Sequence, residues 1–472
     1  MFIYFPYALA LGILLGSVVF IGCLFGSRRM VIAGIVFSCV TASPISSFTR
    51  GASGAIFASD IVGIALALGL MMPNMRALRC QIAPGWYRIF FCFIVFAVFS
   101  AIFIAPFYIT EMGEVGLAGR AQSFGGIPLR FLISGFRTVQ LLLYVIFFMF
   151  AARLLVDKDL VRFTQKCIVL GIAILAVMQI ITFLDIKNMG LALPWQEYQQ
   201  SRMLGHSKAA AGRLYVLGIF TSIILLYRKI TAPLVLVMLV TIIIGLLASG
   251  SRAAFLGLLV GTSVFFFTGR LPGLISSVVV VILLIISLSV VSAADPERIQ
   301  RFFEIGTSEA GAPRWLIWQS TLSYIRDHFY ILFSGVGFVN FRYALIGDVI
   351  AEHGHNDFLT ALTELGFIGF ALFVVSFMTL AKTLFKRIFV TMSEERWEAV
   401  CLSAVILGLL ITSLFESTLY FGPGLLPMQR IVALLFGTAT ARWIQEDYFG
   451  YVDMEIQIPD SIEEQRPYPV HA

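Results

Sequence analysis

The chain has 472 residues, of which 59% are hydrophobic and 13% charged, with a formal net charge of +6. A soluble domain carries about 25% charge, so this composition excludes a water-soluble protein. Repeated apolar runs of about 20 residues describe a polytopic helical membrane protein instead. The six cysteines lie in or beside apolar runs. They read as small buried hydrophobes, not as a disulfide frame or a metal cluster.

In chain order, apolar runs predict spans over Ile3–Phe25, Val31–Ser47, Ile56–Met72, Ile89–Phe107, Thr138–Ala152, Cys167–Leu184 and Leu214–Tyr227. Further spans are expected over Pro233–Ala248, Ala253–Thr268, Leu271–Val291, Phe358–Leu380, Ala399–Phe415 and Leu425–Trp443. The first run leads directly to Arg28-Arg29 and a second run, so it reads as a span and not as a cleaved signal. The fold class expected is all-α: a polytopic transmembrane bundle of about 12–13 spans with one large periplasmic loop containing short helices. The domains follow as a transmembrane region 1–292, the large loop 293–357, C-terminal transmembrane helices 358–444 and an acidic cytoplasmic tail 445–472 with the composition of a disordered segment.

Orientation comes from the short loops. Arg28 and Arg29, Arg76 and Arg79, Arg153 to Lys166, Arg228 and Lys229, and Lys382 to Arg387 fall on one side by parity, which the positive-inside rule makes cytoplasmic. Residues 293–357 then face the periplasm, with 108–137 and 185–213. No internal repeat is evident, which weighs against many transporter architectures.

Several arginines break that bias: Arg202, Arg213, Arg252 and Arg314. Arg252, in Ser249-Gly250-Ser251-Arg252, sits where one apolar run ends and the next begins. An ionisable group there either snorkels as an interfacial anchor or serves a site. As a site, a guanidinium suits phosphate, because it stays charged and offers a planar fork of donors. Glu416, at the outer end of a late helix, is placed to pair with one of these arginines. Arg430, near the outer start of the last helix, has the position of a snorkelling anchor.

The densest group of titratable residues is Glu352-His353-Gly354-His355-Asn356-Asp357. Asn356 or Asp357 caps a helix whose apolar residues recur from Phe358 onward. Asn356, Thr360 and Glu364 are four apart and form a polar stripe that should face the bundle interior. Gly366 and Gly369 allow a neighbouring helix to approach closely. His355 is then placed at the outer mouth of that helix, where an imidazole can accept a proton near neutral pH. Glu352, His353, His355 and Asp357 also have ligand-type side chains, and a solvated loop with incidental histidines is the third reading.

Four stretches together resemble the O-antigen ligase and O-antigen polymerase superfamily of bacterial envelope glycan enzymes. Gly311–Trp318, with Arg314 and Trp318, is similar to its Gly-Arg…Trp segment. Asp327-His328-Phe329 through Gly335-Val336-Gly337-Phe338 and Phe341 is similar to its Asp-His-Pro…Gly-Val-Gly…Phe loop, with Phe329 in place of proline. His355-Asn356-Asp357-Phe358-Leu359 through Glu364-Leu365-Gly366 and Gly369 resembles its His-Asn helix. Ser249–Arg252 is similar to its Ser-x-Ser-Arg turn.

The resemblance implies transfer of a glycan from undecaprenyl pyrophosphate to an acceptor hydroxyl in the periplasm, without metal or cofactor. Lipid A–core is the acceptor for a ligase, and a growing polysaccharide for a polymerase. His355, Arg252 and Arg314 would then be catalytic, with His355 as general base or as the group that orients the acceptor hydroxyl. Arg202, Arg213, Asn356, Glu364 and Glu416 would bind substrate. Expected partners are this lipid-linked glycan, its acceptor, membrane lipid and other envelope glycan assembly proteins, with no nucleic acid. The expected location is the bacterial inner membrane. A precursor transporter or flippase and a non-enzymatic assembly protein are the alternatives.

Overall fold

A computed structural model describes residues 3–4, 6–41, 44–47, 55–72, 85–105, 123–124, 127–128, 135, 138–143, 145–147, 158–188, 202–203, 206–228, 232–267, 271–294, 308–338, 340–341, 354–390, 393–416, 419–420, 430–432 and 434–437. The fold is all-α. Helices are α1 (Pro6–Leu24), α2 (Arg28–Thr41), α3 (Ala58–Gly69), α4 (Gly85–Phe99), α5 (Lys158–Asn188), α6 (Lys208–Tyr227), α7 (Ala232–Ser249) and α8 (Arg252–Phe267). They continue as α9 (Leu271–Ala294), α10 (Ser308–Asp327), α11 (Ile331–Ser334), α12 (Asp357–Val390) and α13 (Ser393–Ser413). Among the described residues, extended structure is limited to short antiparallel pairings, such as Arg202–Met203 with His206–Ser207. Among the described residues, five helices are long and apolar enough to cross a membrane, and six shorter apolar helices accompany them. The acidic tail and most of the last expected span lie outside the described residues.

Small residues set the closest approaches. A Cβ on Gly257 of α8 would sit 2.5 Å from the Gly408 carbonyl oxygen of α13, so these two helices pack backbone to backbone. A Cβ on Gly212 of α6 would sit 2.6 Å from the Ser251 side chain, which brings α6 against the turn between α7 and α8. Of the described cysteines, Cys23, Cys39, Cys167 and Cys401 are buried as expected. Cys92 differs, because its face of α4 points out of the bundle.

The helix expected at Phe358 runs longer than its pattern, through Val390, and it is broken at Gly366 (φ 65°, ψ −169°). Only glycine adopts such a backbone without strain. The break exposes carbonyls, and the segment after α11 fills them. Val336 N–H donates to Thr363 O and Gly337 N–H to Glu364 O, both at 2.9 Å. The same segment is gripped from its other side by a π-turn, Ser100–Ile104, that ends α4. Phe338 N–H donates to Ser100 Oγ at 3.1 Å, and Asn340 Nδ2 to Ala105 O at 3.0 Å. The first nine residues of α12 are therefore held by the Gly-Val-Gly segment, and they carry the histidine turn with them.

Buried charge appears where the apolar pattern gave little sign of it. Arg430 is 1% exposed, so it is not the snorkelling anchor its position suggested. Its guanidinium donates to Asp60 Oδ1 and Ser59 Oγ, each at 2.6 Å, and lies 4.8 Å over the Phe147 ring. Gln140 completes the cluster by donating to Asp60 Oδ2 at 3.1 Å. A lone aspartate inside an apolar run was the available signal.

Candidate functional site

Glu416, just past the end of α13, is the meeting point of three other elements. Its Oε1 accepts from Nη2 of Arg314 on α10. Its Oε2 lies 3.0 Å from Nδ1 of His355. Arg213 of α6 is 2% exposed and close enough for its charge to act on the same carboxyl. Burial alone would raise the Glu416 pKa. The His355 hydrogen bond and the Arg213 and Arg314 charges outweigh burial and hold it down at about 2. Glu416 is thus an anion at neutral pH, and an ionised carboxylate only accepts hydrogen bonds. The His355 Nδ1 must then be the donor, and in the neutral imidazole this leaves the lone pair on Nε2.

The sequence around His355 explains its placement. Asn356 caps α12, its Oδ1 accepting from Leu359 N–H at 2.9 Å, as the helix-start signal implied. His355 itself has φ 48°, a left-handed conformation that non-glycine residues adopt at a cost and that recurs at functional sites. The turn is fastened from two sides. Trp318 Nε1 of α10 donates to Gly354 O at 2.8 Å, and Asp357 Oδ2 accepts from Leu419 N–H at 2.5 Å. Gly354 has no room for a side chain, since a Cβ there would lie 2.8 Å from Phe341 and Thr360.

The other expected site residues fall into two groups. Arg252 is the half-buried first residue of α8, on the turn that Gly212 packs against, beside Arg213. Glu364 lies deeper. It is 2% exposed, and its two oxygens accept from Phe341 N–H at 3.0 Å and Tyr420 O–H at 2.8 Å. Burial and the Glu364 charge push the Tyr420 phenol pKa well up, so Tyr420 remains the donor. The Arg202 backbone lies in a short strand, and its side chain lies outside the described residues, as do Glu352 and His353. Among the described residues, no group of three or more His, Cys, Asp or Glu is placed to hold a metal ion.

Chemically, the arrangement couples one imidazole with a fixed tautomer to a set of guanidinium groups around one carboxylate. Such a site can accept a proton at Nε2 and hold an oxyanion or phosphate on the arginines. No curated protein matches the chain. Residues 237–374 match the family model for O-antigen ligases. The matched segment runs from α7 to the middle of α12 and carries Arg252, Arg314 and His355, whereas Arg213 and Glu416 are outside it and are joined to the site by the fold. Over that segment, less than a third of the chain, the sequence is similar to the O-antigen ligase family of membrane proteins.

Proposed function

We propose that the chain transfers a glycan from undecaprenyl diphosphate to an acceptor hydroxyl at the periplasmic face of the inner membrane. The acceptor hydroxyl loses its proton to His355 Nε2 as its oxygen attacks the anomeric carbon. The bond from that carbon to the diphosphate breaks, and the leaving oxygen takes the electron pair. Arg314, Arg213 and Arg252 stabilise the negative charge that develops there. Attack opposite the diphosphate inverts the anomeric configuration. Glu416 positions both the base and one arginine, while Asn356 and Glu364 hold the backbone that carries His355. Arg202 is assigned to donor binding as a further cation.

The single observation that carries this reading is the shared anchor. His355 and Arg314 come from elements separated by 41 positions in sequence, yet they grip opposite oxygens of Glu416. A passive assembly protein has no need of a base with a defined tautomer beside an anion clamp.

The test is complementation of a strain lacking the gene with His355→Ala, followed by surface-glycan electrophoresis. Loss of product at normal protein level is expected. Normal product would end the assignment. The null strain also separates the two members of the class: single repeats on the core mark a lost polymerase, and glycan left on its carrier lipid marks a lost ligase.

A further inference from the structure

The loop expected to lie wholly in water, 293–357, contains a surface that does not suit water. Phe329, just before α11, and Phe333, within it, pack edge to face with ring centroids 6.0 Å apart, and are each more than half exposed. They do not stand alone. The Phe333 carbonyl oxygen is 2.6 Å from where a Cβ on Gly366 would lie, so α11 rests directly on the break in α12. The next two residues of α12, Phe367 and Ile368, are again more than half exposed. Gly337, three residues after α11, meets Ala105 at the end of the π-turn, and the exposed Phe103 belongs to that same turn.

The height of this surface follows from helix length. The candidate span Asp357–Phe389 has 33 residues, about 50 Å at 1.5 Å per residue, whereas the hydrocarbon core is about 30 Å thick. Part of the helix must therefore stand outside the core. The polar residues decide which part. Asp357, Thr360, Thr363 and Glu364 all precede Gly366, and no charged residue follows until Lys382. The stretch from Gly366 to Lys382 covers about 24 Å, and lysine snorkelling supplies the remainder. Gly366 thus marks the level where the hydrocarbon begins, and α11 is docked at that level.

We infer that α11 with Phe329 and Phe333 is seated in the bilayer, in contact with the acyl chains of the leaflet at the site-bearing end. Aromatic side chains at such a boundary act as anchors. Immediately before it, Arg326 and Asp327 at the end of α10 pair with each other in the open, 77% and 49% exposed, which puts the water side of the seat there. The surface is continuous with the lipid-facing flank of α12, and this selects acyl chains over a second protein as its occupant. The seat is independent of the transfer chemistry proposed above, so either can fail without the other.

The test is photo-cross-linking of the full chain in nanodiscs, with p-benzoylphenylalanine replacing Phe329, Phe333 or, as a control, Arg326. Intact mass should show phospholipid adducts from positions 329 and 333, at least tenfold above position 326. Cross-links to a second copy of the chain, to another protein, or no adduct at 329 and 333 would overturn the seat. Hydroxyl-radical footprinting of the unmodified chain gives a second readout that needs no substitution. Phe329 and Phe333 should oxidise at least tenfold more slowly in nanodiscs than in the denaturant-unfolded chain, and equal rates would overturn it.

Discussion

One helix, α13, carries a buried carboxylate near each end, and the two have different neighbours. Near its start, Glu398 accepts from Gln165 Nε2 at 2.6 Å and Arg228 Nη2 at 3.1 Å, while Arg228 Nη1 donates to Gln165 Oε1 at 3.0 Å. That triangle is closed, with side chains 3% and 0% exposed for Arg228 and Glu398. Past its end, Glu416 is 10% exposed, but Arg314 and His355 are 36% and 30% exposed. The same chemistry thus serves two purposes. A closed network turns its charges on one another and fixes helices; an open one fastens cationic and basic groups by one edge and presents the rest to whatever enters.

The largest expected contrast tests that division. Arg314→Ala should lower the rate of transfer by about 10²–10³, the scale of one lost transition-state donor, with a smaller fall in thermal midpoint than Arg228→Ala gives. Arg228→Ala should do the reverse. Removing one partner of a buried pair costs roughly 3–5 kcal/mol, so the midpoint falls while turnover per folded molecule holds. Purified protein in nanodiscs, assayed with a lipid-linked glycan and by thermal unfolding, checks both.

Glu416→Gln should have the next largest effect. It removes the anion that sets the His355 tautomer, and turnover should fall by about 10- to 100-fold, the equivalent of one charge-assisted hydrogen bond of roughly 1.5–3 kcal/mol. The pH–rate profile should change shape as well, which lost packing alone would not cause.

The same carboxylate gives an acid signature. Its pKa lies at about 2 in the fold against an ordinary 4.5. A lowered pKa stabilises the fold above the ordinary value, and that stabilisation is lost as pH falls from 4.5 towards 2. The thermal midpoint should decline across that window, and the part due to this group should vanish in Glu416→Gln.

Glu364→Gln should give the smallest change: a few-fold in turnover and about 1 kcal/mol in stability, since glutamine keeps an acceptor for the Phe341 N–H. A loss as large as that of Arg314→Ala would mean that Glu364 belongs with the reacting groups.

Features encoded at short range were legible in the sequence. The Asn356 cap, the polar stripe and the Arg252 turn each depend on residues within a turn of one another. Glu364 was legible as an inward-facing carboxylate, but its partners, Phe341 and Tyr420, lie 23 and 56 positions away, and no spacing rule connects them. Asp60 and Arg430 are 370 positions apart, so an arginine that looked like a surface anchor was in fact half of a core pair. The break at Gly366 was invisible for another reason. Glycine in an apolar helix usually marks close packing, and here the close neighbour is a backbone that has replaced the helix's own hydrogen bonds.

That break also governs how motion reaches the imidazole. In an unbroken rod, tilting the span by roughly 10° would sweep a point about 14 Å beyond Gly366 through about 2 Å, enough to spoil proton transfer. Here the upper nine residues are bolted to the Gly-Val-Gly segment and the π-turn, not to the rod below. The place of the tip beside Glu416 is therefore set by the backbone bonds from Val336 and Gly337, and not by the direction of the span below the break.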